Sequence, residues 1–165
     1  MPTTGLWHMI LWLHYLALGI WTGSIIFFAT VVASNIHHSM ASKAVAGETV
    51  GQILKRLNVL EISCAGILIF TTISSFHFVN GERERGLIYL AADIVLMGIM
   101  TLFYSCHLTP RMDQIKETIP TLDVLPDSHA AKGEFNRLHK LYVKLMSLNL
   151  ALGLLALYLS VVLLG

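Results

Sequence analysis

No aspartate, glutamate, lysine or arginine occurs before Lys43, and only 13% of the chain is charged. A soluble domain averages about 25%. Together with a hydrophobic share of 55% and a mean hydropathy of +0.69, this scarcity excludes an ordinary water-soluble domain. Cysteine is scarce too: Cys64 and Cys106 stand far apart in apolar stretches. That excludes a disulfide framework and a zinc-ligand spacing and leaves two small apolar thiols. A net charge of +1 gives no case for nucleic acid. The sequence holds no HExxH, CxxC, P-loop, nucleophile elbow or dinucleotide fingerprint, and no internal repeat.

What is present is a set of long apolar runs. Leu6 to Ile36 is nearly continuous; as a helix it would measure about 46 Å against a hydrocarbon core of about 30 Å, so it must tilt or project. No basic residue precedes it, so it reads as a span and not as a signal peptide. The second run, Leu57 to Val79, carries only Glu61 and is led in from Val50. The third, Leu87 to Thr109, carries only Asp93 and is expected to stop at Pro110. The fourth, Leu145 to Leu164, carries no charge and follows an amphipathic lead from Phe135. Each is long enough to cross, and lipid obliges the backbone to satisfy itself within helices. The expected fold is all-α, an integral membrane four-helix bundle running up-down-up-down as a single domain. Its spans fall near 6–36, 50–79, 87–109 and 135–164, with a tight turn at 81–86 and a polar loop at 110–134.

Basic residues set the expected orientation. Lys43, Lys55, Arg56, Arg111, Lys116, Lys132, Arg137, Lys140 and Lys144 belong to the first and third connections, against Arg83 and Arg85 on the other face. The connections 37–50 and 110–134 are therefore expected in the cytoplasm and both termini outside, with Trp7, Trp12 and Tyr15 in an outer aromatic belt. Without a targeting sequence, a bacterial inner membrane is the expected location. Gly19 and Gly23 form a small-xxx-small pair, and Gly66, Gly98 and Gly153 lie inside the other runs. All are expected to ease helix packing or to make room for a flat porphyrin.

Eight histidines make histidine chemistry worth weighing. At about 1.5 Å per residue, His14 lies about 12 Å below the outer end, and Asp93 and Tyr158 about 9 Å. The three could share one layer with Thr71, Thr72, Ser74 and Ser75, with His77 at its mouth. A carboxylate at that depth is costly unless paired or protonated, so a His14–Asp93 contact is expected. In a second, inner layer, Glu61 is expected to pair with Lys144 or His107, with Tyr104, His139 and Asn149 nearby. His37 and His38 are adjacent and point about 100° apart, so they cannot easily share a metal. His129 falls in the polar loop.

Two stretches carry a family resemblance. "LHYLALGIWTGSIIFFATVVASNI" resembles the first helix of the four-helix membrane superfamily that contains copper-resistance protein D and the protoporphyrinogen oxidase HemJ. "AGETVGQILKRLN", "HLTPRMDQIKE" and "FNRLHKLYVKLMSLNLALGLL" together are similar to the transmembrane protein 205-like family, a four-span group. The first resemblance implies that His14 stands where HemJ-like proteins place a haem ligand. Their Asn-Glu-Val-Pro-like and Tyr-Leu-Pro-Arg segments are not found here, so it does not imply the oxidase activity. The second implies that Arg111 and His139 occupy motif positions.

Three functions follow as expectations. The first is a non-catalytic accessory subunit of a larger membrane complex, respiratory complexes included, with partner subunits or self-association in the bilayer. The second is a b-type haem protein for electron transfer, with His14 as axial ligand and His77 as the candidate second ligand. The third is copper or proton transport, with Met97, Met100, Cys106 and His107 as the softer donors.

Overall fold

A computed structural model gives the fold. It describes residues 3–40, 43–79, 81–119, 125–126 and 129–165, with the backbone alone at 3, 4, 37, 38, 43, 44 and 82. Each apolar run becomes one helical span. The first is α1 (Thr3–Phe27), a π-helical turn at Phe28–Val32 and α2 (Ala33–Ser39). The second is α3 (Lys43–Ser75). The third is α4 (Glu82–Phe103), a second π turn at Tyr104–Leu108 and α5 (Thr109–Thr118). The fourth is α6 (Ala130–Leu164). Four stretches, Gly5–Ile36, Val45–Ser75, Arg83–Thr118 and Ala130–Leu164, are long and apolar enough to cross a membrane.

The spans alternate in direction and close into a ring: α1 packs on α3, α3 on α4, α4 on α6, and α6 back on α1. This is the expected up-down-up-down four-helix membrane bundle. Along α6 the inward stripe is Tyr142, Met146, Asn149, Gly153, Ala156, Ser160 and Leu164, the three- and four-residue spacing of one helix face. Leu18, Trp21, Leu68, Leu90, Ile94 and Met97 fill the centre. Hydroxyls on the outer face, such as those of Thr30, Ser63 and Ser147, donate to the carbonyl four residues earlier in their own helix. That lets lipid-facing positions carry them without an orphaned donor.

The helices overrun the apolar runs. At 35 residues, α6 is about 52 Å long, well beyond a core of about 30 Å. Its first turns join α2, α5 and the start of α3 in a helical cap at the end that carries the two longer connections, called here the basic end. Lys55 pairs with Asp113 at 2.7 Å, Lys116 Nζ donates to the Gly47 carbonyl at 3.1 Å, and Lys116 also lies 5.2 Å from the centre of the Phe135 ring. Ala46, Val50 and Met112 are buried beneath.

Three expectations are corrected. The third helix does not stop at Pro110. A π turn widens the helix just before it, Thr109 N–H reaching back five residues to the Tyr104 carbonyl, and the helix runs on through Pro110 into α5, the local widening taking up a residue that a regular helix interior does not accept. Much of the expected loop 110–134 is therefore helix, with Thr109–Thr118 at one end and Ala130 onward at the other. Gly19 and Gly23 do not pack inside the bundle; both face outward with nothing near an added Cβ. Close approach occurs instead at Gly86, where a Cβ would run into the Leu163 side chain of α6, and at Gly153, where a Cβ would stand 2.6 Å from Thr22 Cγ2 and 3.3 Å from Met97 Cε. Gly153 lets α6 meet α1.

Candidate functional site

The bundle interior holds two polar layers separated by apolar packing. The first centres on His14, which α1 turns into the core with no exposed surface. Its Nδ1 lies 2.8 Å from Thr71 Oγ1 on α3, and its Nε2 lies 2.9 Å from Ser160 Oγ on α6. Ser160 Oγ donates to the Ala156 carbonyl at 2.6 Å, so its single hydrogen is committed and it accepts from His14 Nε2–H. Nδ1 of a neutral ring then accepts from Thr71. Tyr15 OH adds a donor to the Ser160 carbonyl at 3.0 Å. One imidazole thus ties three helices together.

The second layer lies near the basic end, where α3 presents Asn58 and Glu61 three residues apart. Tyr104 OH donates to Glu61 Oε2 and stands 2.9 Å from Thr101 Oγ1. Asn149 Nδ2 donates to Thr101 Oγ1 at 2.8 Å and to Tyr104 OH at 3.1 Å. Tyr142 OH donates to Asn58 Oδ1 at 2.8 Å, and the Tyr104 and Tyr142 rings lie 5.0 Å apart. Glu61, Thr101, Tyr104, Tyr142 and Asn149 are all buried. Tyr104 continues the inward stripe of α4 three residues after Thr101 and opens the π turn, and Thr109 Oγ1 donates to its carbonyl at 3.0 Å. Such turns are rare and recur at functional sites.

Several expected partners do not meet. Asp93 is buried on α4, its Oδ2 without a hydrogen-bond partner, and it is not the partner of His14. The main neighbours of α1 are α3 and α6, so Asp93 stands across the apolar core from it. Tyr158 is 66% exposed; two residues from Ala156 and Ser160 in the inward stripe, it falls on the opposite face of α6. His107 points outward and stacks on Phe103 at 5.5 Å, so neither it nor the exposed Lys144 reaches Glu61. His77 is exposed in the turn after α3. Arg111 is exposed and binds Glu134 at 3.0 Å, while His139 stacks on Phe135 at 6.3 Å. His129 begins α6, accepting from the Ala131 amide at 3.3 Å. The side chains of His37 and His38 lie outside the described residues.

Sequence reading passed over Ser160, Asn58, Thr101 and Tyr142. A usable signal was there: 58 and 61 on α3, 101 and 104 on α4, and 142 and 149 on α6 all fall at same-face spacings. Two soft-donor candidates diverge, because Met97 and Met100 point inward while Cys106 and His107 point outward. Among the described residues, no group of three or more His, Cys, Asp or Glu is placed to hold a metal ion.

These features define a small integral membrane protein, a four-helix bundle with buried polar layers. A family model described as a domain of unknown function, DUF4149, matches residues 16–120. That is well over half of the chain, which therefore belongs to the DUF4149 family. The matched stretch contains Asn58, Glu61, Thr71, Thr101 and Tyr104, and leaves His14 and all of α6 outside it. Comparison with curated proteins and with solved structures gave no match.

Proposed function

We propose that the protein is a non-catalytic accessory subunit of a larger membrane assembly. The observation that carries this reading is the geometry of His14. The most reactive-looking group in the interior spends both ring nitrogens on side chains of neighbouring helices, which is a clamp and not an open coordination position. Large apolar side chains, among them Phe27, Val59, Phe70, Ile73 and Ile99, cover the outside and suit either lipid or other membrane subunits. The nine basic residues of the first and third connections favour those connections in the cytoplasm and both termini outside, in a bacterial inner membrane. The likeness to the transmembrane protein 205-like family, with Arg111 and His139 in its motif, fits a four-span protein of this kind.

Mild-detergent purification from native membranes tests the proposal. The chain should migrate in a complex with stoichiometric larger subunits, and the preparation should owe no visible absorption to this chain. A chain that runs alone would overturn the accessory role. A strong Soret band lost in His14→Ala would replace it with the b-type haem reading. That reading requires His14 to give up Thr71 or Ser160, because in the present conformation neither ring nitrogen is free for iron.

A further inference from the structure

The Glu61 layer is one positive charge short. Glu61 is 1% exposed, and the side chains that touch it are neutral. Tyr104 donates to it, and Thr101 and Asn149 stand behind Tyr104. The ammonium of Lys144 and the imidazole of His107 are turned outward. Cys64 on α3 and the Tyr142 phenol on α6 are also buried in this part of the bundle, but a thiol and a phenol cannot carry a positive charge. The α1 stretch from Leu16 to Ile36 has no titratable side chain to offer. An isolated buried carboxylate is among the costliest things a protein can hold, more so at membrane depth.

The layer is also one hydrogen short. Tyr104 gives its only hydrogen to Glu61, and Asn149 gives both of its amide hydrogens to Thr101 and Tyr104. Asn149 Oδ1 is left buried without a donor. One added proton removes the uncompensated charge and brings one more donor into a layer whose own hydrogens are committed. A metal cation fits less well. It needs six or so oxygens arranged around a void at roughly 2.0–2.6 Å, whereas here the oxygens contact one another directly.

We infer that Glu61, framed by Tyr104, Thr101 and Asn149, is a single-proton binding site that exchanges with the basic end of the bundle. The proton comes from water on that side and converts the carboxylate to the acid; no bond to carbon changes and no electron moves. Sidedness follows from the packing. Toward His14, Glu61 is ten residues from Thr71 along α3, about 15 Å. The fully buried Leu18, Trp21, Leu68, Ile94, Met97 and Ala156 fill the core between the layers. Toward the basic end lie polar groups: Asn58 hydrogen-bonded to Tyr142 and to Thr109, then the Lys55–Asp113 pair. Lys55 is six residues from Glu61, about 9 Å along the helix.

Infrared spectroscopy of the full chain in sealed proteoliposomes tests this, with glutamate carboxyls isotope-labelled so that Asp93 does not contribute. A membrane-impermeant amine reagent, read at Lys55, reports which way the chain has inserted. We expect a labelled band of a protonated buried carboxyl that titrates with pH and does not respond to sodium replacing choline. It should be absent in Glu61→Gln and shifted in frequency in Tyr104→Phe. Steps of pH should move it only from the side where Lys55 reacts. If Glu61→Gln fails to fold, the wild-type titration and the Tyr104→Phe shift still decide. Absence of a protonated labelled band at every pH where the bundle is folded overturns the site. A band displaced by sodium converts it to a metal-cation site and also overturns it. A response from the opposite side overturns the sidedness.

Discussion

Replacing His14 tests whether it is a clamp or a ligand. The wild-type ring makes two interhelical hydrogen bonds, at 2.8 and 2.9 Å. Inside a membrane protein each such bond averages about 0.6 kcal/mol and reaches about 1.7. Their loss does not strand the partners. Ser160 Oγ keeps the Ala156 carbonyl, and Thr71 Oγ1 can turn its hydrogen from the lost ring to the Ile67 or Leu68 carbonyl, at 3.0 and 3.1 Å. The penalty for a buried unsatisfied hydroxyl therefore drops out. His14→Phe fills the space and should cost about 1–2 kcal/mol. His14→Ala also leaves a void on the order of 60 Å³, worth about 1.5 kcal/mol more at about 24 cal/mol per Å³ before relaxation. Denaturant unfolding in detergent micelles, followed by far-ultraviolet circular dichroism, measures both. A cycle of His14→Phe with Ser160→Ala should give a coupling of about 0.6–1.7 kcal/mol. If His14→Phe cost more than about 4 kcal/mol, the ring would be holding something besides two hydroxyls that can satisfy themselves. If it cost nothing, the bonds would not be formed in the membrane-embedded chain.

Other substitutions probe the packing and the cap. Gly153→Ala should lose about 1–3 kcal/mol through overpacking, partly offset by about 1 kcal/mol of helix propensity. Its new Cβ meets a Thr22 side chain already held by its bond to the Leu18 carbonyl. Gly23→Ala, with open space around it, should gain about 0.5–1 kcal/mol; thermal melting in one detergent ranks the pair. Glu134→Gln removes the partner of an Arg111 side chain that is 57% exposed, so it should cost about 1 kcal/mol or less, and the difference should shrink as salt is added. Tyr142→Phe removes the donor to Asn58 Oδ1 and should destabilise by about 0.6–1.7 kcal/mol.

The sequence determined the solvent, the number of spans and their alternation, because lipid leaves a long apolar run no choice except a helix. It also determined that His14, Glu61 and Asp93 would be buried, since polar groups at such depth turn toward the bundle interior. Only the tertiary structure decided their partners. Depth along a helix is local arithmetic, but which neighbour a side chain meets depends on how each helix is rotated and which helices adjoin. His14 and Asp93 sit on helices that face each other across the core, so the imidazole found Thr71 and Ser160 instead. Glu61 found Tyr104 because Tyr104 continues the inward stripe of the third span through Met97 and Thr101, and the way α3 and α4 are rotated against each other sets those two stripes face to face. The glycines divide the same way: Gly19 and Gly23 carry the familiar spacing yet face outward, while Gly153 alone on its stripe lets two helices touch.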